Sequence, residues 1–373
     1  WDVAMAMVGL FLFSCVAHRV TQKGPLHWPV FGVIPTLFLH MDNVYEWATA
    51  YLDSAGGTFP YRGMWMGGAH GVMTSDPANV EYVLRTRFAN FPKGPYYRER
   101  FADLLGDGIF NADDSAWRLQ RRAATSQMHS PRFVSYSASS ISSLLHGKLL
   151  PLLSRLSPAP ADLQDLLLRF TFDNICSAAF GVDPGCLAAD LDHLPEVPFA
   201  RAFERATELT LIRFMVPPFV WKPMRLLGVG TERELKEAVR VVHQFAEKTV
   251  ADRRAEFAAS GGNFRDRSDL LSRLVEAKEE EDEHGGGKLR FSDKFIQDFC
   301  ISFILAGRDT SSVALAWFFW LLHGRPDVET RILDELHATI RRRGSQGEQE
   351  EEVVFTAEEV GGMDYLQAAL SEA

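Results

Sequence analysis

The segment "FILAGRDTSSVALAWFFWLL", residues 303–322, is strongly apolar but carries an ionic and hydroxylic patch at its centre. On a helix Ala306, Gly307 and Thr310 share one face, because they are three or four residues apart. That face is nearly bare, which predicts a shallow groove where a bound group can meet the Thr310 hydroxyl. The same hydroxyl can donate to the carbonyl of Ala306 and bend the helix locally. Asp309 lies one residue to the side, where its carboxylate can exchange protons through water.

Three interpretations of this patch compete. A membrane span is disfavoured, because Arg308 and Asp309 would each cost about 3 kcal/mol at the centre of a bilayer helix. The second interpretation is a core helix that tolerates a polar patch at residues 308–312. The third is a functional role for this patch and the small residues before it, together called the notch, where the helix contacts a bound group. From these residues alone the last two are about even. Arg308 itself is interpreted as structural, with its charge paired or reaching water.

A second stretch of interest is "WRLQRR", which begins at Trp117. Trp117 and Arg121 are four residues apart, so they share one face of a helix that follows a long loop. An amphipathic surface helix with Trp117 packed inward explains the same spacing. Arg118 and Arg122 form either a basic patch for an acidic partner or a merely solvated face.

Composition excludes several classes of protein. Hydrophobic residues make up 46% of the 373 residues and 27 residues are Phe, which is enough for a sizeable core. The formal charge of −10 argues against nucleic-acid binding, which needs a basic face. The four cysteines lack C-x-x-C spacing, so we expect free thiols in a reducing compartment and neither disulfides nor a zinc site.

The N-terminal region has the pattern of a membrane anchor. Val3 to Ala17 are apolar or small, and the basic Arg19 and Lys23 follow them. This order predicts an anchor whose basic side stays in the cytosol, although a cleaved signal peptide or a buried core helix also fits. The Pro- and Gly-rich "KGPLHWPVFG", residues 23–32, predicts a stiff spacer after it.

The elements that must position these residues are mostly helical. Residues 58–77 alternate about a Gly-Gly turn and predict a short β-hairpin, and Asp76-Pro77 predicts a helix start. Residues 88–114 are rich in Gly, Pro and aromatic side chains without clear periodicity, so we expect a long ordered loop. Periodicity predicts helices over 42–52, 115–128, 137–156, 162–180, 198–214, 231–259, 268–283, 292–322, 325–343 and 356–373.

The coarse prediction is one mainly α-helical domain with a small β-sheet element near its start. The charged runs at residues 276–288 and 341–352 are interpreted as solvated loops. The chain begins with Trp1 and stops inside a predicted helix, so we expect further residues at both ends.

The order of these motifs resembles a microsomal cytochrome P-450, a haem-thiolate monooxygenase. In that family an (Ala/Gly)-Gly-x-(Asp/Glu)-Thr-(Thr/Ser) motif crosses the distal face of the haem, a Trp-x-x-x-Arg motif precedes it, and a Glu-x-x-Arg pair follows it. The resemblance covers essentially the whole chain. The stretches "GIFNADDSAWRLQRR", "DLQDLLLRFTFDNICSAAFG" and "PPFVWKPMR" resemble the plant fatty-acid ω-hydroxylases of cutin and suberin synthesis, and "FVWKPMR" resembles their very-long-chain branch.

The resemblance implies a cofactor, haem b (iron protoporphyrin IX), and roles for particular residues. Ala306 and Gly307 would leave room for dioxygen beside the iron, while Thr310 and Asp309 would supply its protons. Trp117 and Arg121 would donate to a haem propionate. Electrons would come from NADPH through a flavoprotein reductase, and the enzyme would face the cytosol from the endoplasmic reticulum membrane.

The implied substrate is a long-chain or very-long-chain fatty acid hydroxylated at its terminal carbon. Such selectivity requires a narrow apolar tube that presents only the end of the chain. Candidate residues for its wall are Ile109, Phe110, Asn111 and Phe303. Four arginines are candidates for binding the carboxylate, and the sequence does not choose among them: Arg98, Arg100, Arg205 and Arg213.

The chain departs from the family in one respect. The cysteine that ligates the haem iron lies in a Phe-x-x-Gly-x-Arg-x-Cys-x-Gly loop, and none of the four cysteines has that context. Glu372 would begin the Glu-x-x-Arg pair one residue before the chain ends. We therefore expect an anchor over 1–20, a spacer over 21–40 and a partial catalytic domain over 41–373 that neither holds haem stably nor turns over by itself.

Two alternatives remain open. A haem-thiolate isomerase or lyase that acts on lipid hydroperoxides would need no oxygen activation, and the Thr310–Asp309 pair argues against it. A non-catalytic, membrane-anchored helical protein would explain the missing cysteine loop.

Overall fold

A computed structural model describes residues 1–21, 24–64, 67–156, 160–188, 194–264, 267–277, 280–281, 288–289, 291–342 and 354–373. Within them the helices are α1 (Asp2–Thr21), α2 (Ile34–Leu39), α3 (Val44–Ala55), α4 (Pro77–Glu81), α5 (Gly94–Leu105), α6 (Asp114–Met128), α7 (Pro131–Leu144), α8 (Leu150–Leu156), α9 (Leu163–Phe180), α10 (Pro198–Met215), α11 (Pro218–Leu227), α12 (Gly230–Ala259), α13 (Leu270–Glu276), α14 (Asp293–His323), α15 (Pro326–Arg342), α16 (Ala357–Gly361) and α17 (Asp364–Glu372). The strands are β1 (Thr58–Arg62), β2 (His70–Thr74), β3 (Glu280–Glu281) and β4 (Lys288–Leu289), which form two antiparallel pairs. The predicted fold class, mainly α with a small β element, is confirmed.

The chain divides into two compact units. The first comprises Trp1–Gly106, Asn111–Arg118 and Phe203–Arg240, and the second comprises Asp107–Phe110, Leu119–Ala202 and Val241–Ala373. The predicted anchor and spacer fall in the first unit, and their boundaries remain predictions.

In the first unit, side-chain hydrogen bonds join the hairpin to the helix that follows it. Thr58 lies opposite Thr74 in the β1–β2 pair, and their hydroxyl oxygens are 2.7 Å apart. The amide of Asn79 on α4 donates to both hydroxyls, at 3.2 and 3.1 Å. Asp76 caps α4 by accepting from the backbone N–H of Ala78 at 2.8 Å. Both the hairpin and the Asp-Pro helix start are therefore confirmed.

In the second unit, α9 and α14 pack against each other along much of their lengths. The hydroxyl of Thr171 donates to the carbonyl of Arg308 at 2.8 Å, and the thiol of Cys300 donates to the carbonyl of Ala179 at 3.7 Å. As α9 advances from Thr171 to Ala179, its partners on α14 run backward, so the two helices are antiparallel. The candidate notch of α14 thus lies beside the first half of α9.

Helix α14 is buried in its first part and exposed in its last part. Ile296, Phe299 and Ile304 are fully buried, whereas Trp317 is 55% exposed and Trp320 is 71% exposed. By length and composition α14 is also the one described helix that could cross a membrane. Helix α1 contains a shorter apolar stretch, Asp2–Ala17.

Two predicted elements were wrong. The expected loop over 88–114 contains α5, whose buried Phe101, Leu104 and Leu105 follow a helical spacing that the neighbouring Gly, Pro and aromatic residues obscured. The expected helix over 356–373 is two helices, α16 and α17, which are separated at Gly362.

The remaining helices lie close to their predicted ranges, with some differences at their ends. The helix predicted over 137–156 begins earlier, at Pro131, after the N-cap Ser130. Helix α11 was not predicted. Most residues of the two charged runs, 276–288 and 341–352, lie outside the described residues, so their interpretation stays a prediction.

Candidate active site

Thr310 is the exposed hydroxyl of the α14 notch. Its Oγ1 donates to the carbonyl of Ala306 at 2.6 Å, as the sequence predicted. This bond uses the only hydroxyl proton, so in this conformation the oxygen can still accept a hydrogen bond but must rotate to donate one. Ala306 is half-buried, and the two residues form a small, polar-ended surface on one turn of the helix.

Gly307 has a packing role that the sequence did not reveal. A Cβ atom at this position would lie 2.5 Å from Cδ1 and 2.6 Å from Cγ1 of Ile175 on α9. The missing side chain therefore faces α9, and the glycine allows the two helices to approach closely. The interpretation of Gly307 as one more bare position in an open groove is corrected accordingly.

Asp309 stands next to a buried cation. The Asp309 side chain is 45% exposed, and its Oδ1 lies 3.6 Å from Nε of Arg308, whose side chain is only 6% exposed. The guanidinium of Arg308 lies over the ring of Phe172, 5.6 Å from its centroid. Arg308 is thus structural, as predicted, but it is paired inside the protein and does not reach water. Asp309 keeps access to water, as a carboxylate that exchanges protons must.

Helix α6 presents two donors without protein partners. Trp117 is half-buried and its ring packs against Phe88, with the centroids 5.1 Å apart. Among the described residues, neither Nε1 of Trp117 nor the exposed guanidinium of Arg121 has a hydrogen-bonding or ionic partner. Both lie on one continuous helix, four residues apart. The sequence left open whether Trp117 packs inward or binds a ligand; its ring does pack, and its N–H is still free to donate.

The four candidate wall residues differ in environment. In the second unit, Ile109 and Phe303 are half-buried, Phe110 is 38% exposed, and Phe303 packs on Phe299 with ring centroids 4.8 Å apart. These three remain suited to an apolar wall.

Asn111, in the first unit, is a clamp within its own loop. It is 2% exposed, and its Nδ2 donates to the carbonyls of Gly106 at 2.7 Å and Arg98 at 3.2 Å. Its amide therefore holds backbone together and is not an apolar surface. Its Oδ1 is buried without a hydrogen-bond partner among the described residues.

Two of the four candidate carboxylate-binding arginines are buried in the first unit and are bonded to protein groups there. Arg213 is 2% exposed and bonds both oxygens of Glu232, at 2.8 and 2.5 Å, and Oδ2 of Asp103 at 2.7 Å. Burial disfavours its charged form, but these hydrogen bonds outweigh that effect and raise the pKa of Arg213. Arg100 is 1% exposed, donates to three backbone carbonyls and stacks on Tyr96, and burial lowers its pKa.

The other two arginines are more accessible but also engaged. Arg205 is exposed and paired with Glu208 at 2.7 Å and Glu234 at 2.5 Å. Arg98 donates from Nε to the carbonyl of Asn111 at 3.0 Å. Each of the four candidates thus already has a partner within the protein, and Arg98 and Arg205 are the two that are not buried.

The described residues fit part of a haem site. The unpartnered donors Trp117 and Arg121 suit a propionate, and the exposed turn of Ala306 and Thr310 suits a distal face. Three of the four cysteines are poorly suited to ligate iron as thiolates: Cys176, Cys186 and Cys300 are at most 2% exposed, and burial raises the pKa of each thiol. Within the described ranges no group of three or more His, Cys, Asp or Glu side chains is placed to hold a metal ion.

Glu372 is the last helical residue of α17 and is exposed. Its predicted partner would lie three positions later, so its role remains a prediction.

Comparisons with known proteins agree on one family. The family model for cytochrome P450 matches residues 23–373. Cytochrome P450 86B1 of Arabidopsis thaliana is 47% identical over 98% of this chain and 65% of its own length. Cytochrome P450 94A2 of Vicia sativa is 36% identical over 93% of this chain and 63% of its own length. The chain thus spans just under two thirds of the length of these relatives.

A solved structure supports the same fold. The haem domain of cytochrome P450DA superimposes with a TM-score of 0.69, covering 94% of this chain and 69% of that domain. The sequence identity is 20%, so this likeness concerns the fold alone.

Proposed function

Because the chain belongs to the cytochrome P450 family, we propose that the whole protein is a haem-thiolate monooxygenase that hydroxylates the terminal carbon of long-chain or very-long-chain fatty acids. The observation that carries the proposal is the α14 notch, where an exposed hydroxyl and a water-accessible carboxylate stand side by side within the strongly apolar run of residues 303–322. The substrate class rests on the resemblance to plant ω-hydroxylases in three stretches of sequence.

The haem, when bound, would supply the oxygen activation and the oxidising power that no side chain has. Trp117 and Arg121 would hold a propionate by charge-assisted hydrogen bonds. The small side chain of Ala306 would leave space above the porphyrin, and the packing of Gly307 on Ile175 would keep this turn of α14 in place. The thiolate ligand would come from residues other than the cysteines described above.

The chain's own contribution to the chemistry is proton handling. Thr310 would rotate away from the carbonyl of Ala306 and turn its hydroxyl proton toward the space beside Ala306. Asp309, half exposed beside the fixed charge of Arg308, would exchange protons with water and restore them to the site. A hydroperoxide isomerase has no need of this pair, so the monooxygenase is favoured.

The proposed substrate agrees with the apolar surfaces of each unit. Phe303 lies seven residues before Thr310 on α14, so both occupy about the same face, about 10 Å apart. In the first unit, an apolar cavity of about 200 Å³ is lined in part by Ile34, Leu37 and Phe59. Surfaces of this kind suit an aliphatic chain and offer it no hydrogen bonds.

The proposed location and partners are supported by the family and by the N-terminal helix. Helix α1 would anchor the protein in the endoplasmic reticulum membrane, and NADPH would deliver electrons through a flavoprotein reductase. The exposed Arg118 and Arg122 of α6 are candidates for meeting an acidic reductase surface.

The test is a product analysis. The protein is expressed from its complete reading frame in microsomes with a reductase, fatty acids of graded chain length are supplied, and the position of the new hydroxyl is located by mass spectrometry. We expect NADPH-dependent ω-hydroxy acids. Products formed from lipid hydroperoxides without oxygen uptake would instead support the isomerase, and no turnover of any lipid would contradict both.

A further inference from the structure

Asp107, in the loop between α5 and α6, is bound at its backbone N–H and at its carbonyl by side chains from two helices. The N–H of Asp107 donates to Oδ2 of Asp298 on α14 at 3.0 Å. The carbonyl of Asp107 accepts from Nε2 of Gln120 on α6 at 2.6 Å. All three residues belong to the second unit. We name this arrangement the Asp107 latch.

The latch is built from buried polar groups. Asp298 is 2% exposed and Gln120 is 3% exposed. The second oxygen of Asp298 accepts from Nζ of Lys294 at 2.6 Å, so the buried carboxylate has a charged partner as well as the loop amide. A hydrogen bond to an ionised acceptor is stronger than one between neutral groups, and breaking it removes one of the two partners of this buried carboxylate.

The latch joins the loop that carries two candidate wall residues to the helix that carries a third. Ile109 and Phe110 follow Asp107 by two and three residues. Phe303 follows Asp298 by five residues on α14, and Thr310 follows it by twelve, about 18 Å along the helix axis. The latch therefore gives the loop residues a fixed position relative to the helix that carries Phe303 and Thr310.

We propose that Asp298 and Gln120 are positioning residues that determine regioselectivity by fixing the loop residues Ile109 and Phe110. This inference rests on the proposed function, in which only the end of an acyl chain may reach the oxidant. The terminal C–H bond is stronger than its neighbours, so selectivity for it depends on a rigid wall. A loosened loop admits the penultimate carbon.

The first measurement needs neither haem nor substrate. Amide hydrogen exchange of Asp107 is followed in the 373-residue chain for the wild type, Asp298→Ala, Asp298→Asn and Gln120→Leu. We expect exchange at Asp107 to accelerate about tenfold or more in Asp298→Ala and in Gln120→Leu. Asp298→Asn keeps an acceptor oxygen and should stay closer to the wild type. Unchanged exchange in both Asp298→Ala and Gln120→Leu would overturn the latch.

The second measurement is the ratio of ω to (ω−1) products from the full-reading-frame protein. We expect this ratio to fall about threefold or more in Asp298→Ala and Gln120→Leu, because each variant loses one of the two hydrogen bonds that hold the loop. Asp298→Asn should recover much of the ratio. The matched control is Asp293→Asn, which removes an acid from the first turn of α14 that pairs with Arg254 and does not contact the loop.

The two measurements separate the possible failures. If the wild type produces no hydroxy acid, the proposed function fails, while the exchange data still test the latch. If exchange accelerates but the product ratio stays constant, the latch exists and its role in regioselectivity is wrong.

Discussion

The residues of the α14 notch fall into two groups, one accessible to solvent and suited to proton transfer and one packed against α9. Thr310 and Asp309 are accessible and can exchange protons, whereas Gly307 and Arg308 are committed to the contact with α9. The packing residues thus fix the turn on which the reactive residues stand. Substitutions in the two groups should have different consequences, and each can be tested separately.

Replacing Thr310 tests the chemical group. In Thr310→Ala the donor is lost, so we expect product per NADPH to fall about tenfold or more while hydrogen peroxide release rises, because proton delivery contributes at least this much in general acid catalysis. Thr310→Ser keeps the hydroxyl and should retain most of the coupling. Ser311→Ala removes a neighbouring exposed hydroxyl and serves as the control. Fully coupled turnover in Thr310→Ala would show that this hydroxyl does not deliver protons.

Replacing Gly307 tests the packing group. A Cβ at this position meets Ile175 at 2.5 Å, so we expect Gly307→Ala to lower the free energy of unfolding by about 1–3 kcal/mol. The added Ile175→Ala change removes the two closest atoms and should recover part of that loss, which a double-mutant cycle in urea measures. Gly361→Ala, where a Cβ meets nothing within 4 Å, is the control. Additive effects at 307 and 175 would argue against the contact.

At the scale of elements, the sequence predicted what local signals determine. The hairpin, the Asp76 cap and the bond from Thr310 to Ala306 all depend on neighbouring residues, and all are confirmed. Helix α5 was missed, because the helical spacing of Phe101, Leu104 and Leu105 lies in a stretch rich in Gly, Pro and aromatic residues that obscured it.

The contacts of Gly307 and Asp298 were also missed, since each depends on a partner more than a hundred residues away. A buried acid in the apolar run "FIQDFCISF" was the one local signal of the Asp298 contact.

A buried ion pair joins α10 to α12 in the first unit. Arg213 and Glu232 are both buried and paired through two hydrogen bonds. We expect Glu232→Ala to lower the free energy of unfolding by about 3 kcal/mol, because the buried guanidinium of Arg213 loses both bonds to Glu232 while it keeps its pairing with Asp103. Glu234→Ala, which breaks the exposed pair with Arg205, should cost about 0–1 kcal/mol. Equal effects in urea titrations of the two variants would show that burial does not govern these pairs.

At the scale of the whole molecule, the proposed haem contacts lie on two helices, the Thr310 turn of α14 and the Trp117 and Arg121 donors of α6. Three cysteines are buried in the second unit, namely Cys176, Cys186 and Cys300. The chain matches the family model from residue 23 to its last residue, yet none of its cysteines lies in the ligand motif.

The 373-residue chain should form no thiolate complex with haem. After reconstitution, reduction and addition of carbon monoxide, we expect no Soret band of the thiolate type, because Cys176, Cys186 and Cys300 are buried and burial raises the pKa of each thiol. The protein expressed from the complete reading frame is the positive control. Cys15 is half-buried on α1, so Cys15→Ser removes the remaining thiol as a source of adventitious ligation. A thiolate band that persists in Cys15→Ser would mean that a buried cysteine reaches the iron, and the assignment of Thr310 to the distal side would fall with it.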